Sequence, residues 1–273
     1  MTAPVLTRPA PPSWTRIARA RVLLELRLFL REPQQVVFSF AYPVLMMVVF
    51  GSVFGANEVS PGVSFSQYFL AGIAATGIML TSFQAVGMGI AEERDRGDLA
   101  RLQVLGTPPL AYAGGKAGQV LLSTAAQLAL LLAVAALVYD VPLPDDPGRW
   151  ATFAWVSLGG ALAGTVLGIA VSSGVGSARA AAAGIPALAI VLQFFSGVFF
   201  VFTELPAWMQ QVAAVFPLKW MTQGMRSVFL PEQAAAAEVA GAWEHGRTAL
   251  VLLAWVVVGT VLAARTFRWR RGA

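Results

Sequence analysis

Cysteine is absent from the 273 residues, and histidine occurs once. The first absence excludes disulfide frameworks, thiolate metal sites and cysteine nucleophiles, and the second leaves no imidazole cluster for a metal. Charge is scarce too, at 12% of residues against 57% hydrophobic, with a mean hydropathy of +0.69. Soluble domains carry about 25% charged residues. A chain with half that fraction cannot clothe a globule of this size in water, so a soluble enzyme is excluded. A phosphate-cradling loop is missing as well, since it needs Gly, four residues, then Gly-Lys and a hydroxyl residue. The nearest approach is Gly115-Lys116, where Leu110 and Ala117 hold the first and last positions. Gly174-Val175-Gly176 starts like a dinucleotide fingerprint, yet Arg179 stands where the third glycine belongs.

What is present is apolar sequence in long runs. Charge-free stretches cover residues 33–57, 59–91, 117–139, 150–178, 180–203 and 248–264. A spanning helix needs about 20 such residues, so the sequence predicts six spans, near 36–55, 67–90, 112–138, 151–173, 181–201 and 248–265. The runs are continuously apolar rather than alternating, which excludes barrel strands. No span has an acid or a base at its centre, which weighs against an ion-coupled carrier. The expected fold is an all-α polytopic membrane protein.

Lysine and arginine set the expected orientation. Fifteen of the nineteen basic residues fall on the side shared by both termini, and only Arg149, Lys219, Arg226 and Arg247 fall on the other. The richer side is expected to be cytoplasmic. The basic excess is thus topological, and nucleic acid is not an expected partner. Residues 1–12 read as a Pro-rich tail. Residues 13–32 read as an interfacial amphipathic helix, with Trp14, Ala18, Val22, Leu26, Phe29 and Leu30 toward lipid and Arg16, Arg19, Arg27 and Arg31 toward headgroups. Residues 33–273 form the six-span domain.

Two segments stand out from the spans. Residues 91–109 join a dense run of both charge signs to Leu99, Leu102 and Leu105, spaced i, i+3 and i+6. Gly106 and Pro108-Pro109 then end the helix. A short helix over about 92–106 with a leucine face suits docking into another protein. The second segment, about 203–230, is too apolar for a free loop, and its candidate helices, 206–216 and 218–229, are too short to cross. Pro206 and Pro217 start the two helices. Leu205, Trp208, Val212 and Val215 share a face, while Glu204, Lys219 and Arg226 are expected to reach water. The pair reads as a re-entrant hairpin. His245 and the Asp140, Asp145 and Asp146 loop read as solvated surface.

Glu93-Arg94-x-x-Gly97-Asp98-Leu99-x-x-Leu102, followed by Ser196-Gly197, Leu205-Pro206-x-Trp208 and Pro217-Leu218, resembles the type-2 ABC-transporter permeases, especially daunorubicin-type drug exporters. The resemblance implies six helices per subunit and a second permease copy, identical or related. It also implies a coupling helix carrying Glu93, Arg94, Gly97, Asp98, Leu99 and Leu102, and an outer hairpin carrying Glu204, Pro206, Trp208, Pro217, Lys219 and Arg226. ATP and Mg would bind a separate ATPase partner, and this chain itself would hold no cofactor, metal or catalytic residue. The expected location is a bacterial-type plasma membrane, and the expected activity is export of a drug, lipid or glycan-like cargo, with Phe195 and Phe199 as pathway residues. A membrane-embedded protease or acyltransferase, or an ion-coupled carrier, is the alternative.

Overall fold

The computed structural model describes residues 14–55 and 57–269; the tail over 1–12 and the side chains of Trp14 and Arg16 lie outside the described residues. Eleven α-helices are described. Six continuous helical stretches among the described residues are long and apolar enough to cross a membrane: Gln35–Phe54, Phe65–Arg96, Pro109–Tyr139, Pro147–Gly174, Ala178–Phe195 and His245–Thr266. The chain is an all-α polytopic membrane protein.

Local chemistry sets the helix starts. Helix α1 runs Trp14–Arg31 and α2 runs Pro33–Phe54, whose first position is a proline with no N–H to leave unpaired. A two-strand hairpin follows, β1 Glu58–Ser60 with β2 Val63–Ser64, turning at Gly62 with φ +76°. Ser64 caps α3 (Phe65–Met79) by accepting the Gln67 N–H at 3.3 Å. A π-turn over Leu80–Gln84 joins α3 to α4 (Ala85–Arg96). After the short α5 (Asp98–Val104), α6 (Pro109–Tyr139) crosses back. Asp146 caps α7 (Pro147–Gly174), and Ser177 caps α8 (Ala178–Phe195). The last elements are α9 (Ala207–Val215), α10 (Pro217–Phe229) and α11 (His245–Thr266).

The span from α3 through α4 is the hub, buried over most of its length among α2, α6, α7, α8 and α10. The π-turn fits because α7 offers no side chains opposite it. A Cβ on Gly168 would stand 2.7 Å from the Phe83 carbonyl, and one on Gly164 would overlap Ser82. Small residues thus allow the close helix approach that lipid cannot drive by itself.

Two expectations need correction. The fifth span stops at Phe195, not 201, because Gly197 takes a left-handed φ of +70° and turns the chain back. Helix α1 does not give its whole stripe to lipid. Val22 packs over Gly118 of α6, and Phe29 lies 6.5 Å from Phe40 of α2. Among the described side chains of α1 the exposed large apolar residues are Leu23, Leu24, Leu28 and Leu30, of which only Leu30 belongs to the predicted stripe.

Candidate coupling site and the hairpin at the opposite end

Contacts among distant segments define one end of the bundle. Arg94, near the end of α4, donates to the Ser172 carbonyl of α7 at 2.6 Å and to the Arg268 carbonyl at 3.2 Å. Asp95 accepts the Ala178 N–H at the start of α8, at 2.8 Å. Tyr112, at the start of α6, lies 5.7 and 5.9 Å from the rings of Phe267 and Trp269. The feet of α4, α6, α7, α8 and α11 therefore share this end with α1, and most of the basic residues are here.

The helix over 98–104 exists, but its faces differ from the sequence expectation. Gly97, with φ +82°, turns α4 into α5, as expected of a residue without a Cβ. Asp98 is the first helical residue, and its carboxylate faces Arg96 at 3.3 Å and Arg101 at 3.8 Å on the surface. Leu99 is 0% exposed and belongs to the chain's own core, and Leu102 is half-buried against it. Glu93 is turned inward too, contacting Lys116 and accepting from the Tyr112 hydroxyl at 2.6 Å. Glu93, Arg94, Leu99 and Leu102 thus bind the feet of this subunit together. A different set stands free. At 3.6 residues per turn Leu105 stands about 120° round the helix from Leu99, and Val104, Leu105 and Leu110 are 75%, 78% and 75% exposed. Arg101 lies exposed beside them.

Sequence reading missed Glu25, Tyr112 and Lys116. Lys116 lies 2.7 Å from Glu25 of α1, and Arg21 reaches the same carboxylate at 2.5 Å. Glu25 carried a signal: it is a lone acid on a stripe otherwise made of Ala18, Val22, Leu26 and Phe29. A buried acid on such a stripe needs a cation opposite.

At the opposite end, α9 and α10 form a hairpin that dips into the bundle. The Trp255 indole donates to the Val215 carbonyl at 2.7 Å, and Phe216 stacks on Trp255 at 6.2 Å. Trp255 lies ten residues along α11, about 15 Å from its start at 1.5 Å per residue. Met221 of α10 packs on Gly160, midway along α7. The hairpin tip therefore reaches about halfway across. Pro206 precedes α9 as its N-cap, and Pro217 opens α10. Trp208 is 56% exposed, 5.6 Å from Phe195, while Glu204 is exposed.

Lys219 and Arg226 do not reach water. Arg226 is buried and pairs two-pronged with Glu238, at 2.6 and 3.1 Å, and donates to the Gly197 carbonyl at 3.3 Å. Lys219 is buried, donates to Gln223 at 2.7 Å and faces Glu244 at 3.9 Å. Both cations turn inward because the strap between α10 and α11, residues 230–244, supplies their acids, Glu238 and Glu244.

Phe199 sits within an aromatic cluster, 5.1 Å from Phe194, 5.8 Å from Phe50 and 6.2 Å from Phe69. Phe195 points to Trp208 instead, so the structure does not bring the two expected pathway residues into one cluster. His245 starts α11 and meets the Ser227 hydroxyl at 2.8 Å. Among the described residues no group of His and carboxylates could hold a metal ion.

A bundle of six spans, with a short helix bent across its basic end and a half-crossing hairpin at the other, has the parts that the sequence motifs imply. The family model of the ABC-2 type transporter matches residues 20–230. The chain belongs to the ABC-2 type transporter family. The match takes in α5 and the hairpin, so these elements belong to the family domain. The ABC-2 chain is a type-2 permease, a transport component. Membership implies an ABC-type ATPase as partner and a bilayer as surroundings. No match to a curated protein accompanies it.

Proposed function

We propose that this permease is the membrane-spanning subunit of an ATP-driven exporter, with ATP and Mg held by a separate ATPase that docks on the basic end. In this reading that end is cytoplasmic, both termini lie inside, and the membrane is a bacterial-type plasma membrane. A second permease copy, identical or related, completes the pathway. The observation that carries the proposal is the bare end of α5. The charges that lead into it, Glu93 and Arg94 of α4, are used inside the subunit, while Val104, Leu105 and Leu110 face out with Arg101 at their edge. An apolar patch rimmed by charge on a soluble-facing end is what a partner covers. The docking contacts therefore shift from Leu99 and Leu102 to Val104 and Leu105. The Phe194, Phe199 and Phe200 cluster near the hairpin supports a hydrophobic or amphipathic cargo such as a drug, lipid or glycan-linked lipid.

The test uses an ABC-type ATPase that co-purifies with the wild-type permease. Leu105→Asp should leave the permease inserted but abolish co-purification with that ATPase, because a charge would enter a contact worth about 1.5–3 kcal/mol per buried leucine. Leu99→Asp should instead lower the amount of folded protein, since it places a charge in the chain's own core. Normal association of Leu105→Asp overturns the docking face.

A further inference from the structure

The charged groups at the foot of α6 join three helices that are distant in sequence. Lys116 contacts Glu93 of α4 and lies 2.7 Å from Glu25 of α1. Arg21 pairs with Glu25 at 2.5 Å and stacks over the Tyr112 ring at 5.1 Å. The Tyr112 hydroxyl closes the ring of contacts onto Glu93. Two cations meet two carboxylates, and Glu25 and Lys116 are 3% and 7% exposed. Moving α4 or α6 away would leave Glu93 or Lys116 without its ionic partner in an apolar setting, which is costly, and moving α1 away would take from Lys116 one of its two carboxylates. Apolar surfaces slide past one another more freely, so an ionic joint of this kind fixes one arrangement.

Helix α1 reaches this joint because α6 is bare beneath it. Cβ atoms on Gly115 and Gly118 would overlap the stems of Arg21 and Val22. The far side of α1 is different. Leu23, Leu24, Leu28 and Leu30 are exposed there, with Arg19, Arg27 and Arg31 also exposed. Leucines flanked by arginines suit a helix seated in the headgroup region. One side of α1 therefore meets lipid, and its ionic side leads through Lys116 to Glu93, four residues before the Gly97 turn into α5.

We propose that Glu25, Lys116 and Glu93 form a clasp that makes α1, the foot of α6 and α5 move as one unit, so that displacing α5 shifts α1 in the lipid interface. Lys116 is the positioning residue at its centre. The consequence for transport rests on the reading of α5 as the docking helix, but the clasp itself does not require a partner. Because the chain has no cysteine, spin labels on cysteines introduced at Ala20 and Leu105 report the α1–α5 distance in the permease alone, in liposomes. The background with native charges and Lys116→Arg should both give a narrow distance distribution. Glu25→Gln, which removes one charge at nearly constant volume, should broaden it at least two-fold. Glu25→Asp, which keeps the charge but shortens its reach, should broaden it less and serves if Glu25→Gln does not insert. In complex with the ATPase, Glu25→Gln should keep assembly and basal hydrolysis while cargo moved per ATP falls at least five-fold. An unchanged distribution overturns the clasp, and an unchanged ratio of cargo to ATP overturns its part in coupling. If the wild type bound no ATPase, the docking reading would fail while the label distances still judged the clasp.

Discussion

Replacing Glu238 with alanine would leave the Arg226 guanidinium buried with the Gly197 carbonyl and the Tyr68 ring as its remaining neighbours, at 3.3 and 5.5 Å. The wild-type side chains are 2% and 6% exposed, and their two-pronged geometry is close to ideal for a guanidinium–carboxylate pair. Removing one partner of such a pair costs about 3–5 kcal/mol, because the survivor stays charged and buried. For a chain of this size, each kcal/mol moves Tm by roughly 2–4 °C. Glu238→Ala should therefore lower Tm by at least about 6 °C. Glu238→Gln keeps an acceptor but loses the charge, and should cost about 1.5–3 kcal/mol. The double variant Arg226→Met with Glu238→Leu removes both charges and should recover most of the loss, since apolar replacement of a whole pair is often neutral. Tryptophan fluorescence during thermal unfolding in detergent measures all three. If Glu238→Ala melted within 1 °C of wild type, or the double variant melted as low as the single one, this pair would not be what holds the strap to α10.

Other outcomes follow from the same geometry. A single cysteine replacing Asp145 should label with an impermeant thiol reagent in intact cells, whereas one replacing Leu105 should label only after permeabilisation; the reverse pattern would invert the proposed orientation. Gly168→Leu should sharply reduce the yield of folded protein, because its side chain would strike the Phe83 carbonyl, and normal yield with normal melting would refute that packing.

The six spans were legible because each is a long run without charge, a signal that needs no knowledge of neighbours. The hairpin was legible for a similar reason: Pro206 and Pro217 cut an apolar run into pieces too short to cross. The direction of individual side chains was not. Leu99, Leu102 and Leu105 read as one stripe, but six residues at 3.6 per turn carry Leu105 about 120° from Leu99, and the buried side of so short a helix is set by the fold around it. Lys219 and Arg226 looked free because their acids, Glu244 and Glu238, come later in the chain, beyond any local pattern. Glu93 and Arg94, next to Asp95, read as docking residues because a dense run of both charge signs leads into a leucine-faced helix and the motif resembles that of type-2 permeases. Their partners, Lys116, Ser172, Arg268 and Ala178, come from four other segments that local spacing cannot bring together. Glu25 was the one hidden member that spacing could have exposed.

The π-turn at Leu80–Gln84 has a consequence for how this chain compares with related ones. A π-turn accommodates one residue beyond the ordinary helical ladder, with the helix on either side keeping its facing. A chain one residue shorter here would pass through with plain α geometry, and Tyr68 above and Glu93 below would still point to their present neighbours. One residue lost elsewhere in this span would swing everything beyond it through about 100°, pulling Glu93 away from Lys116. Length differences among permeases of this kind are therefore expected to collect at this turn, and a comparison that places the gap elsewhere would pair the wrong residues along half the helix.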